Sequence, residues 1–355
     1  MLSRPAQMEI FSTKFEFRDN AAIDFPKYEY DYLSVGDASI TVQKVLKAQE
    51  HDYIIISGEK GKIQGIISEV EFKNNTTVLK VRPLLELLDV DIFFKQTDKS
   101  MSIEEMIGTM IAETYVDSGD SDQNIEGLEI SVKTKTNGII GLEDELNIYS
   151  VCLEAMQSYR IAVEFGIDIM KRKLECCIGV PEAGIKTIEC DLLNIIDSEV
   201  VFKEKNKAYN KAVIIGKYDD EESEMYGQIE KRVYYLGADG SITMEPKERI
   251  TPVLWSIDLM SIDEEFETKA YEKAVSRLTK QNYNNYIKIE VRNDDPMVSK
   301  NKFVIGQEGR IIKNGIEYIS VYTGYEQDKT TTLYFGLIRT EFTKTIRRHI
   351  RNGRN

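Results

Sequence analysis

Short apolar runs that alternate with polar residues and end at turn sequences recur along most of the chain, as in antiparallel β-structure. The clearest case, from Asp52 to Val81, reads DYIIISGEKGKIQGIISEVEFKNNTTVLKV. Polar turns at Glu59-Lys60-Gly61 and at Asn74-Asn75 divide it into three segments rich in β-branched residues. We therefore predict a three-stranded meander here and a mainly β (α+β) protein.

Tight hairpins are predicted where Asn-Gly or Asp-Gly pairs occur, because both central residues of such turns need positive φ. The three pairs are Asn137-Gly138, Asp239-Gly240 and Asn314-Gly315. Alternating strands flank the first and the last of them, so these two are the stronger predictions.

Four segments carry apolar residues three or four positions apart, which predicts amphipathic helices. The first begins at Ser102 and the third at Ser261, each with a glutamate three residues later that completes a capping box. The second begins near Asn147, and the fourth follows Gly336 near the C-terminus.

The C-terminal segment is predicted to form a basic amphipathic helix over residues 340–352. Its cations lie late in the helix, where they favour the helix dipole. Such a helix can bind nucleic acid, contribute to an active site, or dock on another subunit. We expect its apolar side to bury against its own domain or a neighbour, and its basic side to meet an acidic partner surface. The candidate interface residues are Phe342, Lys344, Ile346, Arg347, Arg348 and Arg351.

These elements predict three regions: a β domain over residues 1–95, an inserted α/β region over 96–182, and a second β domain over 183–355 with a helix near 262–279. The stretches Gly65–Leu88 and Glu317–Lys344 share one order of strand, polar turn, Thr-rich strand and helical segment. Duplication of one β-unit explains this similarity, and chance resemblance between two meanders explains it equally well.

Composition limits the classes of function. The chain has 355 residues, of which 42% are hydrophobic and 30% are charged, with a net charge of −14. The apolar fraction excludes a disordered protein, and the acidic balance argues against a protein whose main task is to bind a phosphate backbone. No apolar run reaches the roughly 18 residues that cross a bilayer. We expect a soluble protein that folds in the cytoplasm, with its four cysteines reduced.

A search for catalytic, cofactor or metal sites gives no candidate. Only two histidines occur, His51 and His349, and neither belongs to a zinc motif or has a nucleophile partner. The glycine pair in IGQEGRI follows a strand and reads as a simple turn. The acidic stretch Asp117–Gly127 lacks the glycine and the bidentate glutamate of a calcium loop. We therefore predict no catalytic residue, no cofactor and no metal, and hence a protein that is not an enzyme.

The order of several strand motifs resembles that of the tail-tip or baseplate hub proteins of long-tailed bacteriophages and phage-tail-like particles of Gram-positive bacteria. The N-terminal motifs are LSVGDASITV and GKIQGIISEVEFKNNTTVLKVRPLLELLDVDIF. The C-terminal motifs are NKAVIIGK, RVYYLGADGSIT, RITPVL, KFVIGQEGRIIKNGIEYISVYTGYE and LYFGLIRTEF. They extend from about Val35 to Thr343, and each alone is unspecific.

The resemblance implies two tube-protein-like β-barrel or sandwich domains per chain and a homotrimeric ring of six similar modules. Such a ring joins a sixfold tail tube or distal tail protein to a threefold tip, spike or fibre among the other baseplate proteins. The expected location is the virion or particle, after assembly in the bacterial cytoplasm, with DNA at most passing through an acidic lumen. Two alternatives are a tail-associated cell-wall hydrolase and a protein that binds the host surface.

Overall fold

The fold is known from a computed structural model that describes residues 5–24, 26, 28–33, 38–59, 61–94, 101–138, 140, 145–201, 209–219, 224–237, 241–246, 255–278, 285–293, 295–296, 298, 302–327 and 329–336. The strands in this part of the chain are β1 (Ala6–Phe11), β2 (Phe17–Ile23), β3 (Tyr28–Asp31), β4 (Ala38–Val42), β5 (Tyr53–Gly58), β6 (Gly61–Lys73), β7 (Thr76–Pro83), β8 (Asp91–Phe93), β9 (Leu128–Val132), β10 (Glu145–Asn147), β11 (Ala162–Asp168), β12 (Lys173–Gly179), β13 (Lys186–Glu189), β14 (Ile195–Val201), β15 (Lys211–Lys217), β16 (Ile229–Leu236), β17 (Ile242–Thr243), β18 (Trp255–Ser261), β19 (Tyr286–Arg292), β20 (Glu308–Lys313), β21 (Ile316–Gln327) and β22 (Thr330–Gly336). The helices are α1 (Ile103–Tyr115), α2 (Ile148–Tyr159) and α3 (Phe266–Leu278), with a 3-10 turn at Leu84–Leu88. The prediction of a mainly β fold is confirmed.

The N-terminal sheet has six strands in the order β2-β1-β5-β6-β7-β4, and it contains the predicted meander as β5, β6 and β7. The sheet curls into a half-barrel around its own apolar cluster. The loop after β4 approaches β2, where the Lys44 ammonium lies 2.6 Å from the Asp19 carboxylate. Strand β5 is buried on both faces, because Ile54 and Ile56 face the half-barrel while Tyr53 and Ile55 belong to the main core.

The middle region packs α1 and α2 on a three-stranded sheet in the order β11-β12-β9. The predicted capping box at Ser102 and Glu105 is present at the start of α1, and Asn147 caps α2. The predicted hairpin at Asn137-Gly138 is wrong, since neither residue has positive φ and residues 133–138 form no strand. Gly138 instead allows close packing, because a Cβ there would lie 2.6 Å from the Tyr159 ring.

The C-terminal sheet has the order β13-β20-β21-β22-β19-β14, and β3 joins it by pairing with β21. The predicted hairpin at Asn314-Gly315 is confirmed, with φ of 52° and 72° at the two residues. The interior of this sheet is continuous with that of α1, α2 and β11-β12, so one large core joins the middle and C-terminal regions. The predicted hairpin at Asp239-Gly240 lies outside the described residues.

A smaller four-stranded sheet, in the order β17-β16-β15-β18, carries α3 on one face. The helix begins at Phe266 and not near 262, because Ser261 is the last residue of β18 and its hydroxyl donates to Asp219, 2.7 Å away. The capping box predicted at Ser261 and Glu264 therefore does not form. Asp263 stands at the start instead, accepting from the Glu265 amide at 3.0 Å.

Glu104 on α1 is fully buried and ties this helix to the chain that follows β9. Its carboxylate accepts three hydrogen bonds of 2.7 Å, from the hydroxyl of Thr134 and from the hydroxyl and amide of Thr136. Burial raises the pKa of Glu104, but the hydrogen bonds from Thr134 and Thr136 outweigh burial and hold the pKa below its ordinary value. The ionised form therefore contributes to stability at neutral pH.

Replacing Glu104 by Gln is expected to reduce the free energy of unfolding at pH 7 by about 1–3 kcal/mol, because the buried donors lose a charged acceptor. Since folding lowers the pKa of Glu104, its contribution is present above the unfolded-state pKa and is lost as the pH falls through the folded-state value. Denaturant titrations from pH 7 downwards should show the difference between wild type and Glu104→Gln shrinking. The exposed Glu113→Gln on the same helix is the control, and an equal effect there would contradict the account.

Candidate assembly interface

Four strands near each end of the chain have one topology. We call β4–β7 the first repeat and β19–β22 the second repeat. In the first repeat the spatial order is β4-β7-β6-β5, and in the second it is β19-β22-β21-β20. Each repeat is a three-stranded meander whose last strand pairs with the strand that precedes the meander along the chain.

The strand registers of the two repeats agree position by position. The first hairpin of each has a two-residue turn, closed by Gly58 and Gly61 in one repeat and by Lys313 and Ile316 in the other. Both long strands then carry a register shift at their eighth residue, which is Ser68 in β6 and Thr323 in β21. A shared bulge at the same position is a specific feature of backbone design and not a general property of meanders.

The turns that lead into the two meanders, residues 49–52 and 304–307, form the same backbone hydrogen bonds. In the first repeat the His51 amide donates to the Ile67 carbonyl at 2.7 Å, and the Ile67 amide donates to the Asp52 carbonyl at 2.9 Å. In the second repeat Gly306, Tyr322 and Gln307 repeat both bonds at 2.9 and 2.8 Å. His51 and Gly306 both have positive φ, of 72° and 81°. The sequence similarity therefore reflects a duplicated backbone.

An arginine from outside the repeat holds each entry turn. Arg18 on β2 lies 2.9 Å from the carboxylate of Asp52, which is almost fully buried, and burial raises the pKa of that carboxyl. Arg160, at the end of α2, donates to the Gly306 carbonyl at 3.1 Å and lies 3.2 Å from Glu308. Sequence reasoning gave His51 no role and treated IGQEGRI as a simple turn, and no residue-type signal links the two positions.

Strand β3 joins the two halves of the chain. It pairs antiparallel with residues 324–327 of β21, and the next amide, of Tyr32, donates to the carbonyl of the bulge residue Thr323 at 2.7 Å. Tyr32 and Leu33 are fully buried. The Tyr32 hydroxyl accepts from the Val163 amide at 2.9 Å, and the Tyr149 hydroxyl donates to the Leu33 carbonyl. The segment after β2 is thus anchored in the core of the rest of the chain.

The face of the small sheet opposite α3 exposes apolar side chains. Ile257 and Leu259 on the terminal strand β18 are 58% and 78% exposed, and Ile229 on β16 is 65% exposed. The strand registers place Ile215 and Val233 on the same face. Exposed apolar side chains grouped on one face are a feature of contact surfaces with other molecules.

A second exposed apolar group lies at one end of the C-terminal sheet. Leu193, in the loop between β13 and β14, is fully exposed, and Ile316 at the start of β21 is 55% exposed. The Asp191 carboxylate accepts from the Asn314 amide at 2.7 Å, which holds the loop and the hairpin together. Both apolar groups belong to the C-terminal half of the chain.

The candidate interface residues of the C-terminal helix, Phe342, Lys344, Ile346, Arg347, Arg348 and Arg351, lie outside the described residues. The described chain ends at Gly336, whose φ is 84°. A Cβ there would lie 1.8 Å from the Asn285 carbonyl oxygen, so only glycine fits where β22 ends.

Within the described ranges, no three His, Cys, Asp or Glu side chains are grouped closely enough to hold a metal ion. The four cysteines are free thiols, and burial raises the pKa of Cys152, Cys176 and Cys190. In the same part of the chain, no helix is both long enough and apolar enough to span a bilayer.

Comparison with solved structures identifies proteins of the same architecture. A tail protein of prophage MuSo2 from Shewanella oneidensis matches 93% of this chain over 98% of its own length, with a TM-score of 0.52 and 10% identity. A tail protein from Neisseria meningitidis matches 94% of this chain over 96% of its own length, with a TM-score of 0.51 and 13% identity.

The chain has the fold of phage tail proteins. The resemblance inferred from the order of strand motifs is thereby confirmed at the level of fold. No family model matches the sequence, and no curated protein matches it either. The sequences are only 10% and 13% identical, so the similarity to these two proteins is one of backbone fold.

Proposed function

We propose that the protein is a structural component of a phage tail or phage-tail-like particle, where it forms the hub of the tail tip or baseplate. The observation that carries this proposal is the internal duplication, in which two repeats agree in register, bulge position and entry-turn hydrogen bonds. Because each chain contains two equivalent units, a threefold ring of such chains presents six of them and can match a sixfold partner.

Three copies of such a chain form a closed ring of six similar repeats. The contacts between copies are heterologous, because a threefold axis brings different patches of the same chain together. One face of the ring then meets the sixfold tail tube or a distal tail protein. The other face keeps only threefold symmetry and binds a trimeric tip, spike or fibre.

The exposed apolar surfaces support a role in assembly. Ile257, Leu259 and Leu193 are costly to leave in water, and a partner that covers them gains the free energy of their burial. The expected location is therefore the assembled particle, which forms in the bacterial cytoplasm. The lumen of the ring is acidic, consistent with the charge of −14, and repels DNA that passes through it.

Light scattering on the purified chain tests the ring directly. The expected result is a species of about three times the chain mass of 40.7 kDa, which dissociates on dilution. The same preparation should release no soluble fragments from purified peptidoglycan and should not bind host cells on its own. A monomer at every concentration, in the presence of tail tube and tip proteins as well, would overturn the hub proposal. Fragment release or cell binding would favour the hydrolase or the receptor-binding alternative.

Removal of residues 341–355 is expected to impair trimer formation or incorporation into the particle. The segment carries five basic residues, whereas the whole chain has a net charge of −14. We expect these basic residues to bind an acidic surface on a neighbouring copy. A matched variant, Arg347→Gln with Arg348→Gln and Arg351→Gln, keeps the apolar positions and should show the same direction of change, most strongly at low salt. Sedimentation and co-purification with particles measure both variants. Normal assembly of the truncated chain would show that the segment has no part in the interface.

A further inference from the structure

Strand β6 continues beyond its neighbour and leaves an open edge. Strand β5 pairs with β6 only as far as Ile66, and Ile67 completes its bonds with the entry turn. Residues 69–73 pair with β7 on one side. On the other side, no strand among the described residues pairs with them.

The same edge is occupied in the second repeat. Position by position, residues 69–72 of β6 correspond to residues 324–327 of β21, because the two bulges and the two first hairpins align. Strand β3 pairs with residues 324–327 on the edge opposite β22. One chain therefore shows the duplicated edge in a filled form and in an open form.

The main-chain groups on the open edge can be assigned from the register. Lys73 and Thr76 close a two-residue turn, so the amides and carbonyls of Lys73, Glu71 and Glu69 point towards β7. Those of Val70 and Phe72 point away from β7, towards the open edge. The carbonyl of Ser68 corresponds to that of Thr323, which accepts from Tyr32 in the filled edge.

Burial differs between the two edges. Gly324 is buried and residues 325–327 are partly covered, and burial raises the pKa of Tyr325 to about 12. In β6, Glu69, Glu71 and Lys73 are exposed, and Phe72 is 54% exposed. The two glutamates are already paired, Glu71 with Lys73 at 2.8 Å and Glu69 with Lys80.

We propose that the open edge of β6 at residues 69–73 accepts a β-strand from a second copy of this chain. This rests on the proposed ring, in which first and second repeats alternate. Inside one chain, the contact from the first repeat to the second is made by β3 on β21. The contact from the second repeat of one copy to the first repeat of the next then falls on the corresponding edge of β6. Strand addition supplies main-chain hydrogen bonds, and the exposed Phe72 side chain supplies apolar contact.

Phe72→Pro tests the proposal, because proline removes the one amide of Phe72, which faces the open edge, and breaks no bond to β7. The expected result is an unchanged thermal unfolding of the monomer and an association between copies weakened by at least about tenfold. Phe72→Ala keeps the amide and should weaken association less. Gln327→Pro, at the corresponding position of the filled edge, should instead lower the stability of the monomer, because it removes a bond to β3.

Amide hydrogen exchange of the wild-type chain gives a second readout that does not depend on any variant folding. The amides of Val70 and Phe72 should exchange slowly in the associated species and rapidly in the diluted monomer. The amides of Tyr325 and Gln327 should be protected in both. If wild type and Phe72→Pro associate equally, and Val70 and Phe72 exchange rapidly in the associated species, the edge proposal is wrong while the ring stands. If the wild-type chain never associates, the ring itself is wrong.

Discussion

Backbone amides and carbonyls in a sheet need hydrogen-bond partners. Two long strands in this protein, β6 and β21, extend beyond β5 and β20, the strands that pair with their first halves. The arrangement of the two sheets depends on what pairs with the remaining halves. In β21 the extra length is paired by β3, a segment from the opposite end of the chain. Because Tyr32 and Leu33 are then buried in the main core, this pairing joins the N-terminal sheet to the rest of the protein, together with the side chains of β5 that lie in the same core.

The duplication explains why the two repeats have the same backbone geometry although their residue types differ. The entry turn of the first repeat uses His51 and Asp52, and that of the second uses Gly306 and Gln307. Both pairs satisfy the same geometry, since the first residue adopts positive φ and the second accepts a bond from the long strand. A ring of such repeats needs equal backbone surfaces at its contacts, and it leaves most side chains free to vary.

Much of the fold follows from residue patterns. The meander, the capping box at Ser102 and the hairpin at Asn314-Gly315 were predictable, because alternation, helix caps and positive-φ turns are local signals. The hairpin predicted at Asn137-Gly138 was wrong, because Gly138 allows close packing against Tyr159 and does not form a turn with positive φ. The pairing of β3 with β21 and the matching bulges were not predictable, since they depend on contacts about 300 residues apart and on backbone geometry that no residue type specifies. The proposed domain limits at 95 and 182 stay predictions, and strands β3 and β8 show that the first 95 residues contribute to three sheets.

In the proposed ring, each copy supplies two equivalent repeats. Electron cryo-microscopy of the assembled protein, reconstructed without imposed symmetry, shows directly where the repeats lie. We expect six repeats at one radius, alternating first and second around three copies, with added strand density beside residues 69–73 of β6. A ring in which the two repeats lie at different radii, or in which copies meet away from both repeats, would contradict it.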